Sequence, residues 1–88
     1  MADSTGPMLA LTAISAGNQW LGNDNAGAAL KVAVAGAVAT GGLALLEHVP
    51  GLAPLAAGIA WVGLITLLFT SVGGGRSPVQ NIRRLTGL

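Results

Sequence analysis

Charge is what this sequence has least of: its 88 residues include four Lys or Arg and three Asp or Glu, 8% in all. A soluble domain averages about 25% charged residues, and a chain this short buries only roughly 60–65% of its surface, so it needs a polar exterior. Hydrophobic residues make up 52% of the chain, which argues equally against disorder. We expect a membrane protein, or a subunit that buries most of its surface against copies of itself.

Cysteine is absent and histidine occurs once. This composition excludes disulfides, thiol redox centres and cysteine-ligated metal sites, and His48 alone cannot form a multi-histidine site. The net charge of +1 is too small for a general nucleic-acid binder, which needs a clear basic patch. Acid–base catalysis needs paired titratable groups, and Glu47 and His48 fall in a turn that leaves both in water. We therefore predict no enzyme, no catalytic residue, no metal and no chemical cofactor.

Glycine, proline and asparagine divide the chain, which we interpret as one domain over residues 1–88, into helical segments. Two segments of 21 residues are almost entirely apolar, and each would span about 31 Å as a helix, enough for one membrane crossing. The predicted fold class is all-α: an antiparallel hairpin of two long hydrophobic helices, preceded by a short helix and followed by a basic tail. The bounds are 8–22 for the short helix, 26–46 and 52–72 for the hydrophobic helices, 47–51 for the turn and 76–88 for the tail.

Local residue patterns predict where several helices begin and end. Asn25 suits the N-cap of the first hydrophobic helix, and Gly22 suits the left-handed position after the short helix. Ser77 and Gln80 form a capping-box pattern, so a helix should begin in the tail. Its apolar residues share one face beside two arginines, which is typical of an amphipathic helix at a membrane surface.

The charges predict an orientation. The tail has three arginines, whereas the turn has one Glu and one His. Two crossings place both termini on one side, and the positive-inside rule places that side in the cytoplasm. Residues 1–7 contain Asp3 and no Lys or Arg, so we expect no signal peptide. The predicted contacts to lipid headgroups are Lys31, Arg76, Arg83 and Arg84.

Small residues recur at a spacing of four in both hydrophobic segments, which lets apolar helices approach closely in lipid. They occur on several sides of each helix, so we expect them to close the hairpin and also to pack against other subunits. A bulkier stripe of Leu55, Ile59, Val62 and Phe69 suits a helix–helix seam or acyl chains. The predicted packing residues are Ala29, Ala33, Ala37, Gly41, Ala53, Ala56, Ala57, Gly58, Ala60 and Gly63.

The order of elements resembles the conjugative pilins of type IV secretion systems, including archaeal relatives used for DNA uptake. The stretches that carry this resemblance of plan are 8–22, 26–46, 47–51 and 52–72. It implies a hairpin held in the cytoplasmic membrane and then polymerised into a helical, extracellular, lipid-containing pilus. It also implies Glu47 and His48 at the lumen, bound membrane lipid, and three partners: further copies, the secretion and assembly machinery, and nucleic acid only as transported cargo.

A second interpretation stays open. Two crossings, no leader and a basic C-terminal tail also resemble a phage holin, which forms oligomeric lesions in the cytoplasmic membrane during lysis. In both interpretations the chain is not an enzyme, and its physical task is self-association. We take the pilin as the leading interpretation and the holin as the alternative.

Overall fold

A computed structural model describes residues 4–87 of the chain. Within this range the chain is helical and has no strand, which confirms the all-α prediction at that level. Residues 1–3 and Leu88, where the predicted domain and tail begin and end, lie outside it. The helices are α1 (Thr5–Gly17), α2 (Ala26–Glu47), α3 (Ala53–Leu68) and α4 (Pro78–Thr86), and a π-helical turn, Asn18–Gly22, continues α1.

Helix α2 follows its sequence signals closely. The side-chain oxygen of Asn25 accepts the Ala28 N–H at 3.0 Å, as an N-cap should. The helix ends at Glu47, and the turn after it contains Pro50 and then Gly51 with φ +83°. Its 22 residues span about 33 Å. Of the described helices, it alone is long and apolar enough to cross a membrane.

The second hydrophobic helix is shorter than predicted, so the hairpin of two long hydrophobic helices is not confirmed. Helix α3 ends at Leu68 and has 16 residues, about 24 Å against a hydrocarbon core of about 30 Å. After Leu68 the bonding changes to the 3₁₀ pattern, in which the Phe69 and Thr70 N–H groups donate to carbonyls three residues earlier, those of Thr66 and Leu67. The following residues bond to the end of α1 instead of continuing the helix.

Helix α1 packs along α2 and α3 and runs antiparallel to α2. At one end the Ser4 N–H donates to the Glu47 carboxylate. Near the middle, Thr12 sits so close to Gly36 that a β-carbon at Gly36 would collide with it. At the other end, Gln19 bonds to the segment after α3. The short helix therefore joins the core, whose buried hydrophobic residues are Met8, Ala29, Val32, Ala56, Ala60 and Leu67.

This direction of α1 corrects two predictions. Ser4 lies beside Glu47, whereas α4 is bonded to the far end of α1. The two ends of the described chain therefore lie at opposite ends of α2, not on one side as two crossings imply. The left-handed residue after α1 is also not Gly22 but Asp24, with φ 51°. Gly22 remains in the π-helical turn, against the side chain of Asn81.

Candidate membrane and self-association surfaces

The outside of the folded chain is strongly apolar. Only six hydrophobic residues of the described range are buried, whereas eighteen large hydrophobic side chains are exposed. A monomeric soluble protein rarely exposes contiguous apolar patches larger than a few hundred Å². On α2 the exposed residues Leu30, Val34 and Val38 follow one another at a spacing of four. The predicted bulky stripe also lies outside, with Leu55, Ile59, Val62 and Phe69 all exposed.

The predicted small residues divide into an inner and an outer group. Ala29, Ala56 and Ala60 are buried in the core. The outer group, named here the outer small residues, consists of Ala37, Gly41 and Gly58, which are exposed. A β-carbon at Gly41 or Gly58 would meet no atom within 4 Å, so the space for a close neighbour is open. The remaining four, Ala33, Ala53, Ala57 and Gly63, are half-buried.

Gly36 is an inner contact that the sequence did not indicate. It is buried where α1 crosses α2, and the side chain of Thr12 occupies the space of its missing β-carbon. Helices approach this closely only where one of them has a small residue. In the sequence, Gly36 is one of many alanines and glycines in α2. Their spacing allows several faces of the helix to be the close contact, so the sequence does not single out Gly36.

The charged residues are separated along α2. Lys31, Arg76, Arg83 and Arg84 are exposed, and all lie at the end where α1 meets α4. The two arginines of α4 occupy its last turn, where the helix dipole favours a positive charge. Glu47 lies at the opposite end of α2, about 24 Å along the helix axis from Lys31. The molecule therefore has one basic end, which we call the basic end, although Asp24 lies there too.

The turn residues bond to helix ends. Glu47 is half-buried and accepts the Ser4 N–H, which lies at the start of α1. A carboxylate at a helix N-terminus is stabilising because the helix dipole is positive there. His48 is exposed, and its Nδ1 lies 2.8 Å from the Ala44 carbonyl oxygen. The Glu47 side chain therefore connects the start of α1 to the end of α2, and the His48 ring bonds within the last turn of α2.

A cluster of side-chain amides closes the basic end. We call it the amide cluster, and its members are Asn18, Gln19, Asn23 and Asn81. Gln19 is 1% exposed and donates to the Ser71 Oγ and to the Gly74 carbonyl, each at 2.8 Å. Buried amides are normally hydrogen-bonded, because an unpaired one costs the full desolvation free energy; within the cluster, the Oδ1 of Asn81 is buried without a partner among the described residues. Sequence reasoning missed the cluster entirely.

The amide cluster connects the end of α1 to the segment between α3 and α4. Asn18 donates to the Arg76 carbonyl at 2.7 Å, and Asn23 donates to the same carbonyl at 2.9 Å. Asn23 in turn accepts the Arg76 N–H at 3.1 Å, and Asn81 donates to Asn18. Helix α4 begins at the predicted capping box, which is confirmed: Ser77 and Gln80 bond to each other's backbone N–H groups. The cluster and the cap together fix α4 at the basic end.

Replacing the buried amide tests the cluster. We expect Gln19→Leu to lower the free energy of unfolding by about 2–3 kcal/mol, because it removes the donor to the Ser71 hydroxyl, one of the donors to the Gly74 carbonyl and the acceptor of an Asn23 N–H. Thermal unfolding in detergent, followed by circular dichroism, measures the loss. Gln80→Leu is the control, because it replaces an exposed side chain that makes one of the two capping-box bonds, and it should cost about 1 kcal/mol. Equal losses in the two variants would contradict a special role for Gln19.

No protein-family model matches this chain, and neither a curated protein nor a solved structure matches it. Among residues 4–87, no group of three or more His, Cys, Asp or Glu residues is placed to hold a metal ion. A functional proposal therefore depends on the three features described above: the apolar exterior, the outer small residues and the basic end.

Proposed function

We propose that this chain is a structural membrane subunit that acts by self-association. The observation that carries the proposal is the inverted distribution of apolar residues, most of which lie outside a small core. Helix α2 is long enough to span a bilayer, and only 17% of the residues in its most apolar stretch are buried within the chain. Lipid or neighbouring subunits can cover such a surface, and water cannot do so without a large hydrophobic cost.

In this proposal the basic end faces the cytoplasm. Four exposed cations gather there, and cytoplasmic membrane surfaces attract such groups. The irregular segment after α3 then lies near this interface. Non-helical backbone is tolerated at membrane depth only where protein or water satisfies it, and the amide cluster bonds to two of its carbonyls, those of Gly74 and Arg76. The turn and Ser4 lie at the outer side.

Following the resemblance of plan, we propose the pilin as the specific function. The subunit is held in the cytoplasmic membrane before assembly and then polymerises into a helical, lipid-containing pilus for DNA transfer. A short N-terminal helix packed on two apolar helices, and the unfilled space at Gly41 and Gly58, support this. Its partners are then further copies, membrane lipid and the secretion machinery, with nucleic acid as cargo. The turn residues Glu47 and His48 would line the lumen.

Electron microscopy of material sheared from cells that produce the protein tests the pilin. We expect thin filaments, with this chain and co-purified lipid identified in them by mass spectrometry. Sheared material from cells that lack the gene is the control. A chain that stays wholly in the cytoplasmic membrane of cells with intact assembly machinery would refute the pilin.

The second candidate is the holin, and one observation favours it. The apolar helices α1, α2 and α3 pack against one another between the basic end and the turn. A subunit of this shape could remain in the bilayer and would not have to be extracted into a filament. Oligomers of such a unit could open a lesion in place. Induction of the gene would then collapse the membrane potential, whereas a pilin would leave the potential unchanged.

The absence of cysteine makes the orientation directly measurable. We expect Gly6→Cys and His48→Cys to react with a membrane-impermeant maleimide from outside intact cells. Thr86→Cys should react only after the membrane is permeabilised. All three positions are exposed, so reactivity reports the side of the membrane and not burial.

The decisive result is that for Gly6→Cys, because a two-crossing hairpin with both termini inside would protect it. Labelling of Gly6→Cys and Thr86→Cys from the same side would contradict the antiparallel packing of α1 in the membrane. The unmodified, cysteine-free chain is the blank for the reagent.

A further inference from the structure

The connection between α1 and α2 is short and has a costly backbone conformation. Only residues 23–25, which we call the hinge, separate the π-helical turn from α2, and Asn25 is already the N-cap of α2. Asp24 has φ 51°, and no other residue of the described range except glycine has a positive φ. This conformation costs free energy in a residue that has a β-carbon. A short hinge under strain favours exchange of the attached element between copies of a chain.

The contact between α1 and α2 is not closely packed along its whole length. A groove of about 620 Å³ lies beside it and is lined by Met8 and Leu11 of α1 and by Ala35 and Ala39 of α2. Ser15 of α1 is 2% exposed, and its Oγ has no hydrogen-bond partner among residues 4–87. An unfilled groove and a buried unpaired hydroxyl both weaken the hold on α1. Helix α1 can therefore leave its own α2 at a lower cost than a fully packed helix would.

A neighbouring copy offers α1 an identical place. The Ser4 N–H donates to Glu47 at the end of α2, and Thr12 fills the space beside Gly36. Each of these contacts re-forms when α1 lies on the α2 and α3 of another copy. The closed and exchanged states therefore differ at the hinge, and the hinge is where the closed state has its cost.

The length of the hinge limits α1 to the nearest copy. Between Gly22 and Asn25 an extended chain spans at most about 10 Å. Packed helices lie about 8–10 Å apart. Helix α1 therefore reaches another copy only where that copy packs directly against its own. The outer small residues would permit such an approach, because they leave space for a close neighbour.

We propose that copies of this chain exchange α1, so that the α1 of each copy packs on the α2 and α3 of the next. Each chain gives its α1 to one neighbour and receives another α1 from a second neighbour, so the contact is heterologous. A heterologous contact whose rotation does not close produces an open helical polymer. The closed chain is then the form held in the membrane, and opening of the hinge starts polymerisation. This inference rests on the proposed self-association and names the contact that joins the copies.

The absence of cysteine allows the exchange to be measured as a covalent bond. Thr12→Cys and Gly36→Cys, combined in one chain, place two sulfurs side by side where α1 crosses α2. A disulfide then forms within a chain if α1 is closed, and between chains if α1 is exchanged. We expect brief oxidation of assembled material to give a series of covalent oligomers beyond the dimer on non-reducing gels. The same variant diluted in excess detergent should remain a monomer with an internal disulfide. Each single-cysteine variant is a control, because it can link no more than two chains.

Two variants at Asp24 test the hinge and need no cysteine at the buried crossing. Asp24→Gly removes the cost of the positive φ, so it should lower the association constant by about fivefold. Asp24→Val raises that cost, because a β-branched residue is an outlier at positive φ, and it should raise the association constant by about the same factor. Both variants remove the same negative charge, so a change of charge cannot explain opposite results. Light scattering in detergent over a concentration series measures the association constants.

The results separate the exchange from the proposed function. Monomers alone on the gel, from material that light scattering shows to be assembled, would overturn the exchange and leave self-association standing. Dimers alone would also overturn it, because a reciprocal exchange closes on itself and cannot continue as a polymer. Equal association constants for the two Asp24 variants would overturn it even if the double-cysteine variant fails to fold. Higher covalent oligomers without filaments on cells would refute the pilin alone, and wild-type chains that do not associate would refute both.

Discussion

Gly36→Leu is expected to separate α1 from α2 and to lower the free energy of unfolding by about 3 kcal/mol or more. The space next to Gly36 is filled by the side chain of Thr12, so a leucine cannot enter unless α1 moves away. Moving α1 would also break the Ser4–Glu47 bond at one end. Thermal unfolding of the monomer in detergent measures the loss.

Gly42→Leu is the matched control for this effect. It makes the same change in the same helix, but a β-carbon at Gly42 meets nothing within 4 Å. Leucine has a better helix propensity than glycine, by about 0.8 kcal/mol, so the control should unfold no more easily than the wild type. A second test is rescue. Gly36→Ala should also lower the free energy of unfolding, because its β-carbon collides with the Thr12 side chain. Adding Thr12→Ala removes that side chain and should recover part of the loss. Equal stability of Gly36→Leu and Gly42→Leu would show that α1 does not seat on Gly36.

Gly41→Leu and Ala37→Leu are expected to abolish assembly and to leave insertion and monomer stability intact. Both positions are exposed within the chain, so added bulk disturbs no internal contact. In lipid, however, helices associate through the close approach that small residues allow. Light scattering of the purified chain and electron microscopy of filaments report the loss, and membrane fractionation reports insertion.

A further test, Gly58→Leu, and a control, Gly42→Leu, come from the same helices. Gly58→Leu makes the equivalent change on α3 and should also prevent assembly. Gly42→Leu lies next to Gly41 but is turned by about 100° around the helix axis, so it should assemble. Normal oligomers from Gly41→Leu, Ala37→Leu and Gly58→Leu would refute the role of the outer small residues.

The sequence predicted those parts of the fold that depend on near neighbours. The N-cap at Asn25 and the capping box of Ser77 and Gln80 are both present, because each joins atoms three residues apart. The end of α2 at Glu47 differs from the predicted end by one residue, since Pro50 and Gly51 end the helix locally. The composition predicted the apolar character, and the positions of glycine, proline and asparagine predicted the helical segments.

The candidate surfaces were only partly predictable. Small residues occupy so many positions of α2 that spacing alone offers several faces, and Ala29 and Ala37 belonged to one predicted row. The structure buries Ala29 and exposes Ala37, because α1 covers one end of that row and then crosses at Gly36. Without the position of α1, no pattern in α2 separates the inner residues from the outer ones.

The sequence by itself determined a low-charge, helical chain, the starts of α2 and α4, and one membrane-length helix, α2, although it predicted two. Only the tertiary structure decided the direction of α1, the early end of α3 and the closure of the basic end. Helix caps and hydrophobicity act between near neighbours and leave a local pattern. The Ser4–Glu47 bond joins residues 43 positions apart, and the Asn81–Asn18 bond joins residues 63 positions apart. Such pairs leave no periodic signal, because their geometry exists only once the helices have packed.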